Sequence, residues 1–117
     1  MVNMLMIKRI EDMFSSLRVE EKVNIISQGV VLRLSDLRKR LDMAESRVRQ
    51  FEEKYGGSLS NLETDGLPND ADFEMHEDYI LWHHWVDVIE QARVRIPALE
   101  KIAQQGLYLG ESLRVSY

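Results

Sequence analysis

Residues 30–55, VVLRLSDLRKRLDMAESRVRQFEEKY, limit the folds open to this chain more than any other stretch. Val30, Leu34, Leu37, Leu41, Ala44, Val48, Phe51 and Tyr55 recur at alternating steps of four and three. Only an α-helix brings such positions onto one stripe, and the alternation is the seam of a helix lying lengthwise on another helix. With Leu34, Leu41, Val48 and Tyr55 at heptad position a, every g position is basic: Arg33, Arg40, Arg47 and Lys54. The e positions Arg38, Glu45 and Glu52 then set Arg40 against Glu45 and Arg47 against Glu52 in a parallel self-pair. An antiparallel self-pair in register puts basic g against basic g. The row also argues for contact with acids elsewhere in the chain.

The second apolar stripe lies downstream. Trp82, Trp85, Ile89, Ala92, Ile96, Leu99 and Ala103 form another three-four seam, flanked by Leu81, Val86, Val88 and Ile102. So wide a face implies contact with more than one helix. The pattern predicts an all-α chain in one domain of 117 residues. A short amphipathic helix is expected over 3–17, carrying Met6, Ile10, Met13 and Leu17 on one face. A long helix is expected over 19–55, with a bend or break open at Gly29. A loop follows over 56–71, then a second helix over 72–105 that kinks or restarts at Pro97. The glycines at 106 and 110 leave an irregular tail over 106–117. The boundaries have local signals. Gly56 suits a helix C-terminus, Ser60-x-x-Glu63 fits a capping box around a turn at 59–65, Gly66 and Pro68 fit its stop, and 69–72 offer caps for the next helix.

Two such seams exceed what an isolated hairpin can bury, so the expected assembly is a dimeric multi-helix bundle. Its oligomer seam is assigned to Leu34, Leu37, Leu41, Val48, Phe51, Trp82, Trp85 and Ile89.

Charge divides the chain. Residues 1–55 carry 11 Lys/Arg against 9 Asp/Glu, whereas residues 56–117 carry 4 against 11. The acids at Asp70, Asp72, Glu74 and Glu77 form a candidate docking surface for a basic protein partner; as helix caps and first-turn charges they also have a purely structural reading. The basic row is interleaved with Asp36, Asp42, Glu45, Glu52 and Glu53, unlike the dense basic region of a DNA-reading helix, so nucleic acid is not an expected partner.

Several chemistries lack their residues. The chain has no cysteine, which excludes disulfides, zinc thiolates and thiol nucleophiles. No glycine-rich phosphate loop, nucleophile elbow or H-E-x-x-H pattern occurs. His76, His83 and Asp87 share one helical face and are the candidate ligands of a metal-binding alternative, set against a reading as solvated side chains. No cofactor is expected. Residues 1–7 are apolar but short and precede Lys8 and Arg9, unlike a signal peptide, so a cytoplasmic protein is expected.

The run FEEKYGGSLSNLETDGLPNDADFEMHEDYILWHHW, residues 51–85, resembles a segment of small helical antitoxin-like proteins of bacterial and archaeal toxin–antitoxin operons. In those proteins an E-K-Y-G helix end leads through an L-P-x-D-A loop to an acidic H-E-D-Y-x-x-W helix. The resemblance covers about a third of the chain. It implies a non-enzymatic helical protein that oligomerises and works by binding another protein, and it transfers no binding residue.

Overall fold

The long heptad-patterned stretch is one helix in the computed structural model, which describes the backbone of residues 3–115 and the side chains of residues 3–106. Four helices follow in order: α1, Met4–Ser15; α2, Val19–Tyr55; α3, Leu59–Asp65; and α4, Phe73–Val115. Among the described residues there is no strand. The chain is all-α, and α2 packs on α4. No helix of the described residues is long and apolar enough to cross a membrane.

The helix ends follow short-range chemistry. Asn3 caps α1, its Oδ1 accepting from the Met6 amide at 2.8 Å. Glu20 and Glu21 occupy the first turn of α2, where the dipole favours acid. At its other end, Gly56 takes φ +71°, a left-handed conformation that costs a residue with a Cβ. The Gly56 and Gly57 amides both donate to the Glu52 carbonyl there, at 2.8 and 3.2 Å. Asp72 caps α4 through Oδ1 and the Met75 amide at 2.9 Å.

Of the two readings open at Gly29, the structure has the single long helix, with the apolar stripe continuing on both sides of the glycine. Three expectations are corrected. The cap of α3 is Ser58, whose Oγ accepts from the Asn61 amide at 3.2 Å, rather than Ser60 of the proposed capping box. The buried Leu59 anchors the first turn of α3 and places Ser60 inside the helix. The second helix does not end at 105 or restart at Pro97. Proline takes away one amide, but the Pro97 ring and Arg93, whose carbonyl loses that donor, are exposed to water, while Ile96 and Ala92 stay buried. Residues 106–115, expected to be irregular, continue α4, and the remainder of that tail lies outside the described residues. Gly106 sits in that helix, where a Cβ would stand 2.9 Å from the Ser27 Oγ, so its missing side chain permits a close approach to α2.

The chain divides into two compact units, Met1–Leu34 with Ala98–Tyr117, and Ser35–Pro97. In Ser35–Pro97, α2 and α4 run antiparallel: Lys54 meets Asp78, Phe51 and Tyr55 meet Trp82, and Ala44 meets Val88 and Ile89. Ala44 is 0 % exposed, which lets the two backbones approach, and Leu41, Val48 and Trp85 close around it. Trp82 is the largest fully buried side chain, 1 % exposed, with Phe51 stacked at a centroid distance of 5.7 Å and Tyr55 at 5.9 Å.

This arrangement gives the seam residues partners within the chain. Leu41, Val48, Phe51, Trp82, Trp85 and Ile89 pack within the single chain, and Leu34 and Leu37 are already buried in it. A parallel self-pair of α2 would need the same stripe twice.

Candidate functional site

The last turn of α2 and the first turns of α4 form a polar cluster above the aromatic stack. Lys54 Nζ donates to Glu74 Oε1 at 2.5 Å and to Asp78 Oδ2 at 2.6 Å. Tyr55 Oη donates to the same Asp78 oxygen at 2.6 Å. Asp78 follows from the heptad arithmetic: it lies one turn before Trp82, as Lys54 and Tyr55 lie at the end of the stripe that covers Trp82. The Asp78 side chain is only 15 % exposed, and the Lys54 and Tyr55 bonds hold its carboxyl below the usual 3.8. Lys54 is held above the ordinary amine range by Asp78 and then Glu74. Burial first, and then the bond to Asp78, push the Tyr55 phenol up. All three shifts favour the state present at neutral pH, so the cluster is a lock between two helices rather than a group poised to exchange a proton.

Lys54 was placed with Arg33, Arg40 and Arg47 as a basic row, and it does turn to the chain's own acids. Arg33, Arg40 and Arg47 are exposed. The row therefore does not present four equivalent cations to a phosphate backbone.

The four acids assigned to a partner divide in two. Asp72 caps α4 and Glu74 pairs with Lys54. Asp70 and Glu77 take no part in that cap or that pair, and all four acids are exposed. Asp70, Asp72 and Glu74 line a groove of about 300 Å³ with Lys54, Tyr55 and Pro68. A second hollow, of about 360 Å³, opens beside α3, where Ser58, Asn61, Thr64 and Asp65 form polar walls next to Tyr55 and Trp82. The Trp82 indole N–H is buried and meets no acceptor among the described protein atoms.

The histidines do not assemble as the metal alternative requires. His83 Nδ1 faces Asp87 Oδ2 at 3.3 Å, one turn away, as the spacing predicts. Its Nε2 faces Glu63 Oε1 of α3 at 3.6 Å, a partner that sequence spacing within one helix does not reveal. The two ring nitrogens point apart, so the carboxylates sit on opposite edges of the imidazole and share no point that a single cation would occupy. Among the described residues no three His, Asp or Glu side chains are placed to hold a metal. Glu63 Oε1 also accepts from Tyr79 Oη at 3.4 Å, so the group ties α3 to α4.

The largest departure from a closed fold is in the N-terminal part. No residue of α1 is buried. Ile10 is 60 % and Met13 62 % exposed, and Met4, Leu5 and Met6 leave half or more of their surface in water. On α2, Val19, Ile25, Val31 and Leu32 are exposed as well, on different sides of the helix. The four-residue stripe on α1 is legible in the sequence; that the chain leaves it uncovered is not.

No protein-family model matches the chain, and no curated protein or solved structure matches it.

Proposed function

We propose that this chain is a non-enzymatic protein–protein interaction module, antitoxin-like or adaptor in kind, that acts in the cytoplasm by oligomerising and by binding a protein partner. One observation carries the reading: α1 is amphipathic and has no buried residue, so its apolar stripe has no cover within the chain. Monomers seldom leave large contiguous apolar surface in water, and surface of this kind marks interaction sites. The resemblance of residues 51–85 to antitoxin-like proteins points the same way. The acidic groove supplies a second contact of different character. Asp70 is its charge available to a basic partner, with the exposed Glu77 outside the groove, while Asp72 caps α4 and Glu74 pairs with Lys54.

Affinity capture from the native host, with the wild-type chain and with Asp70→Lys/Glu77→Lys, tests the partner. A protein recovered by the wild type and lost with the charge reversal is the expected result. Failure of the wild type to retain any protein, together with a strictly monomeric mass by light scattering at micromolar concentration, would overturn the reading.

A further inference from the structure

Among the described residues, one buried side-chain polar atom meets no hydrogen-bond partner: the indole nitrogen of Trp82. Trp82 is 1 % exposed. Folded proteins pair the large majority of such atoms, because a buried donor left unmade keeps its whole desolvation cost. One turn away, Lys54, Tyr55 and Asp78 bond to one another, so this end of the 35–97 unit is otherwise well satisfied.

Geometry limits where an acceptor can come from. Phe51 and Tyr55 stack on the indole at 5.7 and 5.9 Å, and the N–H lies in the plane of the ring. The bond therefore forms at the ring edge rather than through the stack. Trp82 borders the hollow of about 360 Å³ beside α3, at the lower end of the roughly 300–1,000 Å³ range of small-ligand sites. Gly56 and Gly57 stand in its wall, where larger residues would take up the space. Because the indole nitrogen is buried, an acceptor that reaches it leaves water behind and the bond forms at low dielectric.

The other walls select the chemistry. Ser58 Oγ accepts from the Asn61 amide, which leaves its hydroxyl hydrogen to donate. Thr64 gives its hydroxyl hydrogen to the Ser60 carbonyl at 2.9 Å and presents lone pairs to the hollow. Asp65 adds a carboxylate, the single charge of the lining. An anion meets a like charge there and no cation. An ammonium or guanidinium suits Asp65 but brings no acceptor for the Trp82 N–H. A hydrocarbon leaves every polar wall group unpaired. A neutral amide supplies both halves on one rigid plane: a carbonyl that accepts, and an N–H that donates.

We infer that this hollow is a binding site for a neutral amide group, the peptide bond or the carboxamide side chain of a ligand. The Trp82 indole and the Ser58 hydroxyl donate to its carbonyl, and Asp65 accepts from its N–H. The site lies apart from α1 and from the acidic groove, so binding here is independent of the partner contacts proposed above.

NMR titration of the isotope-labelled full chain tests it. The chain has two tryptophans, hence two indole N–H signals, which Trp85→Phe assigns. The probes are N-methylacetamide for a peptide bond and propionamide for a carboxamide side chain, with glycerol, ethylammonium and acetate as controls. Either amide should move the Trp82 signal downfield along a saturable curve and leave Trp85 in place, and the tighter of the two identifies the source. Gly57→Leu, at a position without a left-handed φ and with a Cβ 3.7 Å from the Asn61 Nδ2, should weaken that binding at least about tenfold. Asp65→Ala, at an exposed position, should weaken it about tenfold and covers the case of a Gly57 variant that fails to fold. A Trp82 signal that neither amide moves would overturn the inference and leave the indole to water. Equal movement by glycerol, movement by ethylammonium or acetate with the amides silent, or amide binding that neither variant weakens would overturn it too.

Discussion

In Ser35–Pro97 the apolar side chains that repeat every three or four positions are covered by the chain itself, whereas on α1 side chains of the same types at the same spacing face water. Trp82 between two stacked rings and Met13 in solvent are both products of helical periodicity. The difference lies in what each stripe has to meet. In the first region a seam from α2 finds a seam from α4 running the other way, with a fully buried alanine between them and a salt-bridged end. In the second the stripe of α1 ends in solvent. Periodicity tells which residues share a face, and only the presence of a complementary face decides whether that face becomes core.

The sharpest way to break the comparison is at Trp82. Trp82→Ala removes the side chain that Phe51 and Tyr55 enclose, and it should lower the unfolding free energy by about 3–5 kcal/mol, read by urea denaturation. A loss under about 1 kcal/mol would mean that the aromatic stack does not anchor the 35–97 unit. The cluster beside it should be worth less. Asp78→Asn keeps the shape but weakens the bonds from Lys54 and Tyr55, at a cost of about 1–2 kcal/mol at neutral pH.

The pH dependence follows from the directions of the shifts. The Asp78 carboxyl lies below its ordinary 3.8 in the folded chain, so its contribution is complete above that value and is lost as pH falls through the folded pKa. The Tyr55 phenol lies above its ordinary 10.0 and Lys54 above 10.5, so their contributions are complete below those values and vanish as pH rises further. Urea midpoints of the wild type should fall at both extremes, and Asp78→Asn should flatten the acid side. Parallel acid limbs for the two proteins would exclude Asp78 as the group responsible.

The smallest effect sits at Gly29. A Cβ there meets nothing within 4 Å, and the residue is exposed in mid-helix. Gly29→Ala should add about 0.5–1 kcal/mol of stability through helix propensity and a stiffer unfolded chain. A neutral or destabilising result would show that α2 needs flexibility at that point. Gly106 differs, because its added methyl would press on Ser27.

Much of the architecture was legible in the chain. The bounds of the long helix follow from Glu20 and Glu21 at one end and Tyr55-Gly56-Gly57 at the other, and the steps of three and four name most of the core. What escaped was anything fixed by tertiary contact. Pro97 and Gly106 carry real local penalties, and a local reading ends the helix there; packing on either side outweighs them. Glu63 reaches His83 only because α3 folds back, and a pattern confined to one helix cannot place it. The acids at 72 and 74 read equally well as docking charges or as structure, and the structure gives them to a cap and a lysine. Heptad spacing calls for a partner helix without saying whether it comes from this chain, a copy of it or another protein. The antiparallel return of α4 supplies such a partner from within.

The central claim, that one region is closed by the chain itself and α1 is left open for the oligomeric contact proposed above, is tested most directly by amide hydrogen exchange at two protein concentrations. Amides around Trp82 should be protected to the same degree in dilute and concentrated protein. Those of α1 should exchange rapidly when dilute and gain protection as the concentration passes the dimer dissociation constant. Rapid exchange of α1 at both concentrations, or equal strong protection at both, would contradict the account.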